Sequence, residues 1–231
     1  AFTFLSEKSA VTAIASMMKF GVDLAAVEFL DTRSIAALNR FGNFGLQKCP
    51  SLFIEVHGST TTVREIFDTA AELCKENHGK RINLPNGRNP WDIRHFTTRA
   101  IEGLDPLAKT IRTDIGFPIS RLPDVVVKSY SIAAHSGMEL HTFGHAGLGI
   151  LHALIRQNPN DELGWVTANR VKDDIVDFVL SIGGTASAEH GIGSGSRKYF
   201  AAEHGPSVGL MKEIKSIFDP EGILNPGKIW I

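Results

Sequence analysis

The sequence predicts an α+β fold with a largely antiparallel sheet and helices packed mainly on one face. Helical and extended patterns alternate along the chain, and alternation alone would favour parallel β-α-β units. Two extended segments, 138–143 and 150–155, are however separated only by a short glycine-containing turn. Parallel neighbours need a crossover of a dozen or more residues, so these segments fit an antiparallel hairpin. A doubly wound parallel sheet is the runner-up.

Helices are predicted where a capping residue precedes apolar residues at helical spacing. A helix that begins at Asn89 and Pro90 carries Arg94 and Thr98, which are four residues apart and therefore point the same way. Their shared face is a candidate substrate wall, and a solvated helix surface is the alternative. Two other predicted helices follow the capping residues Ser6 and Asp31. The remaining predicted helices cover residues 61–77, 122–137, 161–182 and 208–218, and Val166 is expected to be buried. The other extended segments are 25–30, 52–57, 81–84 and 109–117.

Composition and charge exclude several classes of protein. The 231 residues are 43% hydrophobic and carry a net charge of −1, which gives no argument for nucleic acid or an anionic membrane as a partner. Cys49 and Cys74 lie far apart without a metal-binding spacing, which favours a reducing compartment. No stretch resembles a membrane span or a signal peptide. We therefore expect a cytoplasmic protein and leave a peripheral membrane position and homodimerisation open.

A histidine-rich and glycine-rich stretch, residues 141–152, holds candidate metal ligands. Its glycines disfavour a helix, so His145 is expected on a turn, and His152 follows on an extended segment. Glu189, from the later segment 188–191, adds an oxygen ligand to the two nitrogens and leaves a fourth position open, as in catalytic zinc-type sites. The chain has nine histidines, so an ordinary core or surface role for each remains the alternative.

Three motifs resemble those of the C-terminal domain of the FAD-linked oxidases, a family that includes D-lactate dehydrogenase, D-2-hydroxyglutarate dehydrogenase and the glycolate oxidase flavin subunit. Residues 143–152, FGHAGLGILH, are similar to the family's FGHxGDGNLH, and residues 188–193, AEHGIG, are similar to its (S/G)EHGIG. Residues 218–228, FDPEGILNPGK, resemble its FDPxGILNPGK ending. Residues 91–94 and 113–120 match more weakly. The resemblance covers nearly the whole chain.

This resemblance implies a cap built from ferredoxin-like halves, with residues 1–231 as a single substrate domain. It implies that the FAD-binding domain lies N-terminal to this region and is absent from this chain. The expected function is oxidation of a small D-2-hydroxy acid to the 2-oxo acid by hydride transfer to FAD. The expected partners are that acid and the FAD-binding domain of the same parent chain. We expect the chain alone to bind no FAD tightly and to show no turnover.

The resemblance also implies residue roles. His145, His152 and Glu189 match positions that bind a divalent metal, zinc or manganese, and His190 matches the catalytic base. The substrate carboxylate is expected at Arg94, Thr98 and Arg112, and Asn225 is expected near the flavin.

The chain departs from the family pattern beside the predicted metal ligands. Leu148 and Ile150 replace an aspartate and an asparagine, and Ser196 replaces a lysine. Because neighbouring polar partners tune metal affinity or activity about 10- to 100-fold, either weak metal binding or an altered substrate range is expected. Two alternatives stay open. One is a degenerate, non-catalytic cap used for binding or oligomerisation, and the other is a stand-alone metal hydrolase, which the lack of an HExxH helix disfavours.

Overall fold

The computed structural model describes residues 1–230, and its central feature is an eight-stranded sheet in which every strand pair is antiparallel. The strands are β1 (Phe2–Thr3), β2 (Ala26–Leu30), β3 (Ser51–Glu55), β4 (Lys80–Arg81), β5 (Lys109–Arg112), β6 (Ile115–Gly116), β7 (Leu140–Gly144) and β8 (Ile150–Gln157). Their order is β4-β1-β3-β2-β7-β8-β5, and β6 pairs with β8. The predicted α+β class is confirmed, and the parallel runner-up is wrong.

Helices alternate with these strands along the chain. They are α1 (Glu7–Lys19), α2 (Thr32–Gly42), α3 (Thr60–Glu76), α4 (Pro90–Arg94), α5 (Thr97–Glu102), α6 (Leu122–His135), α7 (Glu162–Ser181), α8 (Gly193–His204) and α9 (Ser207–Phe218). The predicted caps are confirmed, because side chains of Ser6, Asp31 and Asn89 each accept a backbone N–H from the first turn of the helix that follows. None of the helices within residues 1–230 combines the length and apolar character that crossing a bilayer requires.

The sheet buries both of its faces, and the two faces differ in their helices. Along β2, Phe29 packs with the long helices α1, α3, α6 and α7 in the larger apolar core. The next residue, Leu30, points to the opposite face and packs in a smaller core with α2, α4 and α5. This alternation is the two-residue period of a strand. The helices are therefore mainly on one face, as predicted, and the second face is covered by shorter elements.

A buried carboxylate connects the elements around β7. Asp31 caps α2 through the backbone N–H of Ser34, at 2.6 Å, and accepts the backbone N–H of Thr142 at 2.7 Å. The hydroxyl of Tyr130, on α6, donates to the same carboxylate. These bonds satisfy the buried charge and fix β7 relative to α2 and α6.

Four local predictions differ from the structure. The segment predicted as one strand over 109–117 is interrupted at Thr113–Asp114, between β5 and β6. The helix predicted from Asn89 ends at Arg94, because the Thr97 hydroxyl donates a hydrogen bond to the Arg94 carbonyl oxygen at 2.8 Å. A separate helix, α5, then begins at Thr97. The sequence also predicts a glycine-rich loop over residues 191–195, and in the structure Gly193 instead begins α8. Val166, predicted to be buried, is 65% exposed.

Candidate active site

A cavity of about 220 Å³ lies on the second face of the sheet. The strands supply its floor, since residues of β2, β7, β8 and β5 that share this face line it, while α4, α5 and the 189–190 segment supply its walls. The lining includes Glu28, Leu30, Arg94, Thr98, Arg112, Phe143, His145, His152, Leu154, Glu189 and His190. Seven of the eight residues with predicted site roles therefore line one cavity.

The β7–β8 hairpin positions the two histidines. Phe143 pairs with His152 across the hairpin, and His145 follows directly after β7. The connection needs glycine at residue 149, where φ is +70° and an added Cβ would lie 2.3 Å from the Phe117 carbonyl oxygen. The two imidazole rings meet edge to face with centroids 5.9 Å apart. The predicted turn position of His145 and strand position of His152 are confirmed.

Glu189 lies between three imidazoles. One of its carboxylate oxygens is 3.0 Å from Nε2 of His152 and 3.2 Å from Nε2 of His190, and the other is 3.3 Å from Nε2 of His145. Two of the three rings are shielded, with the side chain of His152 11% exposed and that of His145 26% exposed, whereas that of His190 is 65% exposed. The three predicted metal ligands, His145, His152 and Glu189, therefore lie close together although Glu189 is distant from the histidines in the sequence.

Two carboxylates that sequence reasoning missed contact this cluster. Glu28, on β2, is buried and accepts a hydrogen bond from Nδ1 of His145 at 2.5 Å. Its carboxylate also lies 3.1 Å from Nη2 of Arg94. Asp114, in the β5–β6 interruption, has a carboxylate oxygen 3.6 Å from Nδ1 of His152. Glu28 had one detectable signal, since it is the only charged residue of the apolar strand Ala26–Leu30.

The proton on His145 can be placed from its neighbours. Its Nδ1 lies 2.5 Å from Glu28 and 2.9 Å from Arg94, yet one nitrogen cannot donate to the first and accept from the second. The contact with Glu28 is shorter, and a carboxylate can only accept, so Nδ1 carries a proton and donates. This hydrogen bond raises the pKa of His145, against the lowering effect of burial. In the neutral form of the ring the other nitrogen, Nε2, which faces Glu189, carries no proton and is available to a metal.

Burial has the opposite result at His152. Loss of solvation lowers the pKa of this ring below its ordinary value, although Glu189 and Asp114 oppose the shift. A neutral imidazole is the form that binds metal. The site therefore offers unprotonated nitrogen together with carboxylate oxygen, the donors that zinc accepts.

Four residues of the site place their ligand atoms close enough together to hold a divalent ion. Ligand atoms of Asp114, His152, Glu189 and His190 all lie within 4.8 Å of one another. His145 lies outside that group, although its Nε2 faces Glu189. His152 and Glu189 belong both to this group and to the set predicted from the sequence.

The predicted substrate residues take different positions. Arg94 is 22% exposed and extends toward Glu28 and His145, while Thr98, on the next short helix, lines the same cavity. Arg112 also lines the cavity, but its guanidinium bonds to Glu102 at 2.8 Å on the half-exposed side of β5. Asn225 lines a separate cavity beside α9 and adopts φ +50°. The structure thus groups Arg94 and Thr98 with the cluster and places Asn225 elsewhere.

A second cavity, of about 490 Å³, shares Glu28, His145 and Glu189 with the first. Its other lining residues are mostly apolar and come from the region between α1 and β2 and from the turn before β8. Leu148, which replaces the aspartate of the family motif, lines this second cavity and is 76% exposed. The cluster is therefore reached from two sides.

Comparison with known proteins gives the family. Residues 1–229 match the family described as FAD linked oxidases, C-terminal domain. The chain is 33% identical over 232 residues to a probable mitochondrial D-lactate dehydrogenase of Danio rerio, covering 98% of this chain and 47% of that protein. It is 31% identical over 224 residues to a D-2-hydroxyglutarate dehydrogenase of Stutzerimonas stutzeri, covering 90% of this chain and 47% of that protein. The chain thus spans less than half the length of these relatives.

A solved structure supports the fold independently. The crystal structure of p-cresol methylhydroxylase with substrate bound matches with a TM-score of 0.71 at 12% identity, covering 99% of this chain and 52% of that one. At this identity the likeness concerns the fold alone, and that fold agrees with the family match. The matched residues, 1–229, comprise nearly all of the chain, which therefore belongs to the family of FAD-linked oxidase C-terminal domains.

Proposed function

We propose that this chain is the substrate-binding and catalytic portion of an FAD-dependent dehydrogenase that oxidises a D-2-hydroxy acid to the 2-oxo acid. One observation carries the proposal. A guanidinium and a cluster of three imidazoles and a carboxylate line one cavity of about 220 Å³. The names of the relatives, D-lactate and D-2-hydroxyglutarate dehydrogenase, supply the substrate class.

Arg94 binds the substrate carboxylate in this proposal. Its planar fork can hold a carboxylate through two parallel hydrogen bonds, which fixes the orientation of the acid. Glu28 holds the arginine from behind at 3.1 Å. Thr98 lies along the same wall and can donate a further hydrogen bond.

His190 is the base that removes the hydroxyl proton. Its exposed ring faces the cavity with Nε2 3.2 Å from Glu189, so this nitrogen is near the cluster and still accessible to substrate. His145, His152 and Glu189 would hold a divalent ion, which when bound lowers the pKa of the substrate hydroxyl. Hydride acceptance is the chemistry that FAD would supply, since no side chain can take a hydride from the carbon that carries the hydroxyl. The second, largely apolar cavity gives a separate approach to the same cluster.

The test compares acids and arginine variants in the chain joined to the flavin-binding domain of its parent protein. With a dye as electron acceptor, we expect oxidation of D-lactate or D-2-hydroxyglutarate and none of L-lactate. Arg94→Lys loses the bidentate contact, so KM should rise by about 10-fold or more, in keeping with roughly 1.5–3 kcal/mol for a hydrogen bond to a charged group. Arg99→Lys, at an exposed position on α5 outside the cavity, is the control.

Three outcomes decide between the functions considered. Equal KM values for the two lysine variants would remove Arg94 from substrate binding. Loss of every D-2-hydroxy acid activity, with the flavin domain folded and FAD bound, would favour the degenerate cap. Flavin-independent ester or peptide hydrolysis by the chain alone would favour the hydrolase.

A further inference from the structure

Asp114 lies where β5 and β6 are interrupted, and its carboxylate points toward the 188–190 segment and His152. We propose that Asp114 is a positioning residue: it fixes the backbone that carries Glu189 and His190, and it selects the tautomer of His152 that binds metal. This inference rests on the proposed function, because it concerns how the same cluster is held ready to bind metal and substrate.

The backbone contacts of Asp114 are the first support. Its Oδ2 accepts the backbone N–H of Glu189 at 3.0 Å and that of His190 at 2.8 Å, and its own carbonyl accepts the N–H of Ala188 at 3.2 Å. Three successive N–H groups are thus held by one residue. The segment has no regular secondary structure at 189–190, so these bonds fix where the two side chains start.

The other carboxylate oxygen gives the second support. Oδ1 of Asp114 is buried and has no hydrogen-bond partner among residues 1–230. It lies 3.6 Å from Nδ1 of His152, which is too long for a hydrogen bond and about 0.7 Å from the usual distance. A small rotation of the His152 ring would close the gap. An unpaired buried oxygen costs free energy, so this rotation has a driving force.

The geometry around His152 shows what a hydrogen bond between its Nδ1 and Asp114 Oδ1 would do. Glu189 approaches the ring at Nε2, at 3.0 Å, and Asp114 approaches at Nδ1, on the other side. A neutral imidazole has one N–H, and without metal the closer carboxylate, Glu189 at Nε2, can hold it. When a metal ion binds Nε2, the proton must be on Nδ1, and Asp114 is the carboxylate placed to accept it there. A histidine that binds metal through one nitrogen commonly donates the other N–H to a carboxylate in this way.

A role as a direct metal ligand suits Asp114 less well, although its ligand atom belongs to the group within 4.8 Å. Oδ2 already accepts two backbone N–H groups, and Oδ1 lies on the Nδ1 side of His152, away from the Nε2 side where Glu189 stands. The same placement relative to His145 is taken by Glu28, whose oxygen accepts the Nδ1 proton of that ring. Each of the two histidines therefore has one carboxylate on its Nδ1 side, Glu28 for His145 and Asp114 for His152.

The experiment measures Zn²⁺ and Mn²⁺ binding to the full chain by titration calorimetry and reads the His152 tautomer by ¹⁵N NMR, with signals assigned through His152→Gln. Asp114→Asn keeps the shape but places an NH₂ group opposite Nδ1, which favours the wrong tautomer. We expect metal affinity to fall about 10- to 100-fold. Asp124→Asn, at a surface pair with Arg121, is the control and should leave affinity unchanged. The spectrum of the Zn²⁺-loaded wild type should show His152 bound through Nε2 with its proton on Nδ1, a readout that holds even if the variant fails to fold.

The outcomes separate the two proposals. Wild-type chain that binds neither Zn²⁺ nor Mn²⁺ overturns the metal centre of the proposed function, and the role of Asp114 with it. The Asp114 inference alone is overturned if the wild type binds metal and Asp114→Asn binds it with an affinity within about three-fold of the wild type. Such a small change is well short of the effect expected when a hydrogen-bond partner of a metal ligand is removed. A Zn²⁺-loaded wild type in which His152 binds the metal through Nδ1 and keeps its proton on Nε2 also overturns it alone.

Discussion

Glu28→Gln tests whether the buried carboxylate under Arg94 stabilises the site. Glu28 is 8% exposed and contacts two donors, His145 at 2.5 Å and Arg94 at 3.1 Å. Glutamine keeps the shape and one acceptor but removes the charge. Arg94 would then lack its counter-charge, and the pKa of His145 would fall, because its hydrogen bond with Glu28 is the largest cause of the raised value.

The expected loss of stability follows from those two bonds. A hydrogen bond to a charged group contributes about 1.5–3 kcal/mol. The glutamine retains part of one bond, and Arg94 is 22% exposed, so water screens part of the other. We therefore expect the free energy of unfolding to fall by about 2–3 kcal/mol. At roughly 2–4 °C per kcal/mol for a domain of this size, the melting temperature should drop by about 4–12 °C.

The assay is thermal and urea unfolding of the metal-free chain at pH 7, followed by circular dichroism. Glu55→Gln is the matched control, because Glu55 lies on the neighbouring strand β3 and pairs with His57 at 2.9 Å on the surface. Exposed pairs of this kind contribute about 0–1 kcal/mol. A Glu28→Gln melting temperature no lower than that of Glu55→Gln would refute the reasoning.

Two further predictions concern folding. Burial lowers the pKa of His141 below its unfolded value of about 6.5. The stability tied to the neutral form of His141 is therefore present above that pH and is lost as the pH falls. His141→Gln should reduce the drop in melting temperature between pH 7.5 and 5.5, and an unchanged drop would contradict this expectation. Gly149→Ala should destabilise more than Gly137→Ala, since both glycines have φ near +70° but only at residue 149 would the new Cβ meet a backbone oxygen, that of Phe117. Equal urea midpoints for the two alanine variants would contradict the second expectation.

The sequence predicted the convergent part of the site well because that part depends on local signals. Glycines and a short connection between extended segments indicate a hairpin, and the hairpin places His152 beside the end of β7, where His145 follows. The chemistry of metal ligands suggested Glu189 as a third ligand, and the resemblance then supplied the roles of Glu189 and Arg94, whose positions depend on contacts between distant segments. Hydrophobic periodicity carries no information on such long-range contacts, so periodicity alone could not have grouped the four residues.

The parts that were missed have a common physical cause. The break between α4 and α5 comes from the hydroxyl of Thr97 capturing the Arg94 carbonyl, with no glycine or proline at the break to announce it. Asp114 fits the alternation of a longer strand, so the interruption of β5 and β6 is invisible until Ala188 to His190 dock against it. Each depends on a single side chain competing for a backbone group, a choice that tertiary contacts decide.

The charges around the cavity connect metal binding with substrate binding. Glu28, Asp114 and Glu189 contribute three negative charges and Arg94 one positive charge, while the charge of Arg112 is matched by its partner Glu102. The balance is −2 when the imidazoles are neutral. A 2-hydroxy acid is itself an anion, so this uncompensated charge would repel it. A divalent cation would make the balance zero and would let Arg94 act on the substrate carboxylate. If titration shows that the chain binds neither Zn²⁺ nor Mn²⁺, the cluster keeps its negative charge and this link between metal and substrate fails.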